Sequence, residues 1–255
     1  MNMDIPGLSP SLKNIVSNLR SGKRLMPDEA ETLYREAPLF LLSLLATEAK
    51  QAKSGASVFY NKNFHIEPTN VCRYNCRFCS YRQPADSAKA WNLSVEAIRQ
   101  EVHEHYREGM TEVHLVGGVH PRYDLEAYRQ MIAAVRELVP PEVSVKAFSA
   151  VEHIAVIEQA GLGYREGLEL LRQSGMDTIT GGGAEIFDPQ VRERIAPDKP
   201  DADKWLALHE AAHGLGMQTN ATMLYGHVEN TAHRIDHLER LRQLQERTGG
   251  FTAFI

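Results

Sequence analysis

From Phe64 onward the sequence alternates between short β-prone runs and amphipathic helical runs, and this alternation constrains the fold more than any other feature. The β-prone runs are NFHIEPTNV (63–71), EVHLVGG (112–118), VSVKAFSA (143–150), DTITGGG (177–183), QTNATMLYG (218–226) and FTAFI (251–255). Between them, apolar residues recur at helical offsets of three and four. One set is Val95, Ile98, Val102 and Tyr106; the next is Leu125, Tyr128, Met131, Ile132, Val135, Leu138 and Val139. Later sets are Trp205, Leu208, Ala211, Ala212 and Leu215, then Ile235, Leu238, Leu241 and Leu244. The segment 151–175 reads as helical with an interruption at Gly161 and Gly163. Six β/α steps with near-continuous apolar strands predict a parallel sheet covered by helices.

A partial (β/α)6 barrel of the TIM type accounts for the pattern better than a doubly wound sheet, because polar or glycine-rich tracts follow almost every strand. They are Thr69-Asn70, Gly117-Gly118, Lys146 with Ser149, Gly181 through Glu185, and Asn220 through His227. In such barrels the C-terminal strand ends form one face, and chemistry collects there.

Residues 1–60 read as a helical N-terminal segment and 61–255 as the barrel. The first helix takes Ser11 as its cap, presents Leu12, Ile15, Val16 and Leu19 on one face, and stops at Gly22. A second helix starts near Pro27-Asp28 and a third runs from Leu39 to about Lys53. The chain stops at its sixth strand with no helix after it, so a longer natural protein is expected. The chain has 255 residues, and its 28 basic and 33 acidic side chains give a net charge of −5. That balance argues against a protein that binds nucleic acid or an anionic membrane through bulk charge. The longest apolar stretch, Ala37 to Ala46, is half the ~20 residues that span a bilayer. The N-terminus MNMDIPGLSP has no basic region leading into an apolar core, so no signal peptide is read and a cytoplasmic location is expected.

All three cysteines fall in one loop: Cys72-Arg-Tyr-Asn-Cys76-Arg-Phe-Cys79, a C-x3-C-x2-C directly after the first strand. An odd count so tightly grouped is a poor disulfide framework. Three thiolates on a short loop can hold three irons of a 4Fe–4S cluster and leave the fourth without a protein ligand. The alternative is structural zinc with His65 or His120 as fourth ligand, but zinc sites usually pair their cysteines across a longer spacer. An electron-transfer cluster would want a fourth cysteine, and the chain has none.

C-x3-C-x-aromatic-C after the first strand of a β/α barrel, with Phe78 at the aromatic position, resembles the radical S-adenosylmethionine superfamily. HIEPTNVCRYNCRFCSY (65–81), VHLVGGVHP (113–121), KAFSAVE (146–152), GGGAEIFDPQVRERIAP (181–197) and QTNATMLYGHVE (218–229) together resemble the aminofutalosine synthase family within it. That family serves the futalosine route to menaquinone. Thr180 departs from the proline expected before the triple glycine. The resemblance implies a 4Fe–4S cluster on Cys72, Cys76 and Cys79, with S-adenosylmethionine chelating the open iron. It implies addition of the 5′-deoxyadenosyl radical to 3-[(1-carboxyvinyl)oxy]benzoate, with rearrangement and decarboxylation to 6-amino-6-deoxyfutalosine. Flavodoxin or ferredoxin is the implied reductant, since the chain has no second cluster motif. The alternatives are a cyclic dehypoxanthinyl futalosine synthase-like enzyme and a non-catalytic iron–sulfur or zinc scaffold.

Several residues are candidates around that centre. By the resemblance Phe78, Gly117 and Gly118 are expected at S-adenosylmethionine; the alternative for Gly117-Gly118 is a simple tight turn. Glu185 either accepts hydrogen bonds from ribose or the methionine ammonium, or caps the helix that starts near Asp188-Pro189. Arg192 or Arg194 could pair with a carboxylate, or lie on the surface. Asn220 and Thr222 share a strand face and could hold ribose or substrate. The catalytic candidates are His65, Glu67, His120, Lys146 and His227. Lysine inside a strand is costly unless paired. His103, His105, His209, His213, His233 and His237 lie on predicted helices and are expected to be solvated.

Overall fold

The computed structural model describes residues 7–255; the N-terminal reading above falls partly on residues 1–6, outside the described residues. The chain divides into two compact units. One comprises the residues up to Tyr60 with Asn230–Glu239, and the other Asn61–Glu229 with Arg240–Ile255. No helix among the described residues is long and apolar enough to cross a membrane.

The first unit holds α1 (Pro10–Arg20), α2 (Pro27–Glu36) and α3 (Leu39–Ser54). Leu12, Ile15 and Leu33 form a buried apolar cluster there. The cap of α1 is Ser9, whose hydroxyl accepts the Leu12 amide at 3.3 Å, and not Ser11 as expected. Pro10 decides this: it suits the first helical position, where an amide proton would have no partner.

The second unit contains six strands: β1 (Asn63–Ile66), β2 (Glu112–Leu115), β3 (Ser144–Ser149), β4 (Thr178–Thr180), β5 (Thr219–Ala221) and β6 (Phe251–Phe254). They lie in the order β1-β2-β3-β4-β5-β6, every pair parallel, as in a partial β/α barrel. The crossovers are α4 (Val95–His105), α5 (Leu125–Arg136), α6 (Ala150–Gln159) with α7 (Tyr164–Gln173), α8 (Pro189–Ile195) with α9 (Ala202–Gly214), and α10 (Thr231–Thr248). The break between α6 and α7 falls at Gly161 and Gly163, as the sequence predicts.

The strands are shorter than the apolar runs and are not apolar on both faces. Phe64, Ile66, Val113, Leu115, Val145, Ala147 and Ile179 face the helices and join one core with Ile98, Val102, Tyr128, Ile132 and Trp205. Each such aliphatic side chain contributes about 1.5–3 kcal/mol on burial. The alternate residues, among them His65, Glu112, His114, Lys146 and Thr178, carry polar groups onto the inner face. Strand β1 ends at Ile66 because the next residues pair elsewhere: Thr69 bridges Asn92, Val71 bridges Gln83, and the Thr69 carbonyl accepts the Gly118 amide at 2.7 Å.

Candidate active site

The cysteine loop leaves the C-terminal end of β1 and is braced by its own polar residues. The Asn70 side chain donates to the Lys89 carbonyl at 2.9 Å and accepts the Trp91 amide at 2.8 Å. Arg73 donates its amide to Val119 at 2.9 Å, and Arg77 donates to Ile195 at 2.8 Å. The loop is thereby tied to the segment after β2 and to the end of α8. All three thiols are free: Cys76 is buried, Cys72 half-buried and Cys79 exposed. Cys72 Sγ accepts the Val119 amide at 3.3 Å. Burial pushes the Cys76 thiol up; Lys199 opposes this, while Glu185 and the other two cysteines add to it.

Among the described residues, no three His, Cys, Asp or Glu side chains converge on a point that could hold one metal ion. A single zinc ion needs that convergence. A four-iron cluster takes each thiolate at a separate iron, so three free thiols spread along one braced loop fit it.

Gly117 and Gly118 lie where β2 meets this loop. A β-carbon on Gly117 would stand 2.7 Å from the Thr69 carbonyl oxygen, and one on Gly118 would stand 2.7 Å from the Val71 carbonyl carbon. Their bareness is what lets the loop backbone lie against the strand end. The Gly117 amide is fixed by Glu152 Oε1 at 3.0 Å, while Glu152 Oε2 accepts the Ser149 amide at 2.6 Å. Burial pushes the Glu152 carboxyl up to about 7, against the favourable Ser149 and Gly117 hydrogen bonds.

The triple glycine after β4 leads to Glu185, a buried residue in the left-handed region at φ 49°. Such a conformation costs a non-glycine residue about 1–3 kcal/mol and persists only where its surroundings over-determine it. Here they do: the Glu185 carbonyl accepts the Leu224 amide at 2.9 Å, and Lys199 Nζ lies 2.5 Å from Glu185 Oε1. Lys199 also lies 5.4 Å from the centre of the exposed Phe78 ring. Burial opposes the Lys199 ammonium, but Glu185 and Cys76 outweigh it and hold its pKa above the usual value. Helix α8 is capped by Asp188, which accepts the Val191 amide at 2.8 Å, so Glu185 is not the cap.

Several other candidates make local contacts. Arg192 is buried and spends its guanidinium on backbone: Ala184 O at 2.7 Å, Ile186 O at 3.4 Å and Pro200 O. Through these three bonds it fixes the Glu185 turn from behind; Arg194 is exposed. His227 sits on its own exposed loop, with Nε2 on the Leu224 carbonyl at 2.8 Å and Nδ1 accepting the Val228 amide at 2.7 Å. His120 is buried, its Nδ1 accepts the Arg122 amide at 3.1 Å, and its ring stacks on Tyr123. Both histidines shape turns. The Thr222 hydroxyl donates to Gly181 O at 2.6 Å and so ties β5 to the glycine tract. Glu67 is exposed near Tyr81, whose hydroxyl pKa burial and Glu67 both raise.

Lys146, His65 and Asn220 lie on the inner face. Lys146 Nζ is 3.3 Å from Glu112 Oε2, and Glu112 also meets His114 Nε2 at 2.7 Å. The His65 and His114 rings are 4.7 Å apart. Of the helical histidines, His103 and His105 are exposed as expected, but His209, His213 and His237 are buried. Helix α9 is apolar around His209 and His213, which pack with Trp205 and Phe251.

A model of the radical SAM superfamily matches residues 66–241. The chain belongs to this superfamily. Radical SAM enzymes use a 4Fe–4S cluster and S-adenosylmethionine, and this radical SAM chain has three free thiols, Cys72, Cys76 and Cys79, on one loop. The chain is 40% identical over 246 residues to an aminodeoxyfutalosine synthase of Thermus thermophilus, covering 96% of this chain and 66% of the relative. It is 37% identical over 250 residues to a cyclic dehypoxanthine futalosine synthase of Streptomyces coelicolor, covering 96% and 62%. This radical SAM chain thus spans slightly less than two thirds of either relative. Among solved structures, HydG, a maturase of the FeFe-hydrogenase, is similar with a TM-score of 0.73 at 20% identity, over 98% of this chain and 54% of that one; this likeness is one of fold.

Sequence reasoning missed Glu152, Lys199, Glu112 and His114. Ser149-x-x-Glu152 has capping-box spacing, a readable signal for the first. Lys199 carries no local signal, since its partners Glu185 and Phe78 come from other segments.

Proposed function

We propose that this chain joins S-adenosylmethionine to 3-[(1-carboxyvinyl)oxy]benzoate. With one water, the products are 6-amino-6-deoxyfutalosine, methionine and bicarbonate. The observation that carries this reading is the 40% identity to an aminodeoxyfutalosine synthase over 96% of the chain. When bound, the cluster supplies the electron that splits the sulfonium and releases the 5′-deoxyadenosyl radical.

The chain's own residues bind and position. Cys72, Cys76 and Cys79 hold the cluster, and the Gly117-Gly118 backbone keeps their loop against the barrel. Glu185 is a carboxylate acceptor for ribose hydroxyls or the methionine ammonium, and Lys199 orients it from the other side. The inner face receives the enol ether. It must keep the alkene about 3–3.5 Å from the 5′ carbon and keep water away from an unselective primary radical. A flavodoxin or ferredoxin delivers the electron.

The 37% identity to a cyclic dehypoxanthine futalosine synthase favours a second reading, in which the radical abstracts hydrogen. Anaerobic reconstitution, chemical reduction and mass spectrometry of the products separate the two. Aminodeoxyfutalosine from the enolpyruvyl benzoate supports the first. Free 5′-deoxyadenosine as the main product, formed with dehypoxanthine futalosine, supports the second. Bound zinc without sulfide overturns both.

A further inference from the structure

The inner face carries a donor-rich hollow that neither the cysteine loop nor the glycine tracts touch. It is a cavity of about 350 Å³ at the N-terminal ends of the strands, whose lining includes Glu112, Ser144, Lys146, Asp177, Thr178 and Asn220; the Asp177 carboxylate there is already engaged, accepting the Val145 amide at 2.8 Å and pairing with Arg136 at 3.1 Å. The cysteine loop lies at the opposite, C-terminal ends of the same strands, so the inner face runs from one to the other.

The hydrogen bonds around this hollow are incompletely used. The Lys146 ammonium has three N–H donors, and its partner among the described residues is Glu112 alone, at 3.3 and 3.4 Å. Those are long contacts for a charge-assisted pair. Glu112 is engaged more closely by His114, at 2.7 Å. The Ser144 hydroxyl and the Asn220 side-chain amide nitrogen have no protein partner among the described residues, although both line the same hollow. Three unspent donors around one space are what a carboxylate needs. Next to them, the His65 and His114 rings stand 4.7 Å apart and tilted by 53°. Lys146 and His114 are direct neighbours in register, as are His114 and His65, so the rings and the ammonium share one level of the sheet.

We infer that this hollow is the subsite for the ring carboxylate of an aromatic acid, with Lys146, Ser144 and Asn220 on the carboxylate and the His65–His114 pair against the ring. The inference rests on the reading above, in that it names the end of the barrel where the benzoate of that substrate lies. Lys146 then bridges two carboxylates, with Glu112 holding it in place from behind. Specificity follows chiefly from Lys146, because a substrate without the ring carboxylate leaves its buried ammonium with Glu112 alone, while the half-exposed Ser144 and Asn220 can turn to water.

Two variants and two probes test this on the reconstituted protein, with the cluster content and the spectral response to S-adenosylmethionine checked first. The probes are 3-methoxybenzoate and methoxybenzene, read by calorimetry, alongside turnover of the enolpyruvyl benzoate. Lys146→Met should weaken 3-methoxybenzoate binding about 10- to 100-fold, the scale of a lost charged hydrogen bond, and leave methoxybenzene unchanged. Glu112→Gln should keep or tighten 3-methoxybenzoate binding, because it removes the anion that competes for Lys146. A merely structural ion pair would make both variants fail alike, and that result overturns the inference, as does a wild-type protein that binds neither probe. If aminodeoxyfutalosine forms but Lys146→Met binds both probes like wild type, the subsite falls and the reaction stands. If 3-methoxybenzoate binds through Lys146 but no aminodeoxyfutalosine forms, the reaction falls and the subsite stands.

Discussion

Gly118 and Val71 are in backbone contact, so close that a β-carbon on Gly118 would lie 2.7 Å from the Val71 carbonyl carbon and 3.1 Å from Cys72 Cβ. The first cysteine of the motif is therefore placed by a residue 46 positions away that has no side chain. Gly118→Ala should push the loop off the strand end, at a cost of about 1–3 kcal/mol for overpacking. Iron and sulfide content after reconstitution should fall well below wild type. Gly163→Ala, where a β-carbon meets nothing within 4 Å, is the control and should load normally.

Glu152 uses both carboxyl oxygens on backbone amides, so glutamine cannot replace it: one amide N–H would face another donor. Glu152→Gln should cost about 1–3 kcal/mol, the penalty for a buried unmet donor. The pH dependence has a definite sign. The folded-state pKa is raised from 4.5 to about 7, so this group's stabilising contribution is complete below pH 4.5 and is lost as pH rises towards 7. The difference in melting temperature between wild type and Glu152→Gln should therefore be largest near pH 4.5 and shrink as pH rises towards 7, a comparison that cancels other groups titrating in that window.

His209 and His213 give the opposite slope. The Thr248 hydroxyl donates to Leu244 O, so His213 Nδ1–H must donate to Thr248. His213 Nε2 then accepts the Thr219 hydroxyl at 2.8 Å, and His209 Nδ1–H donates to the same oxygen at 2.9 Å. Burial holds His213 down at about 4 and His209 well below its usual 6.5, with nearby His213 and His153 adding to the effect on His209. Their contribution is present above pH 6.5 and lost as pH falls towards 4. His209→Phe should flatten the fall in melting temperature between pH 6.5 and 4. An unchanged acid limb would show that these rings do not govern it.

Arg192 holds three backbone carbonyls around the Glu185 turn, and Arg192→Met leaves them unpaired. A loss of about 3 kcal/mol, seen as a lower urea midpoint, is expected. Affinity of the folded protein for S-adenosylmethionine should stay within a few fold. A large affinity loss at unchanged stability would restore Arg192 as a ligand contact.

Much of this molecule was legible in the chain. Helical offsets and β-prone runs located every crossover and all six strands, because burying one face of each element against a common core imposes those periods. The cysteine spacing was equally local, since three thiols within eight residues must share a loop. The strand lengths were not legible: Glu67 through Val71 has β-prone character but spends its backbone hydrogen bonds on Asn92, Gln83 and Gly118. Nor was the fate of single polar residues. His120, His227 and Arg192 look like ligands in a sequence, and which backbone groups each of them bonds is set by how the chain folds around it.

The sequence by itself determined the β/α order, the parallel sheet and the cysteine loop, because each follows from periodicity or spacing within a few turns of chain. Only the tertiary structure decided which charged groups are spent and which remain available. Lys199 meets Glu185 across 14 residues, Glu152 meets Gly117 across 35, and Lys146 meets Glu112 across 34. Such pairings depend on which strand ends the fold brings together, and no local pattern encodes that.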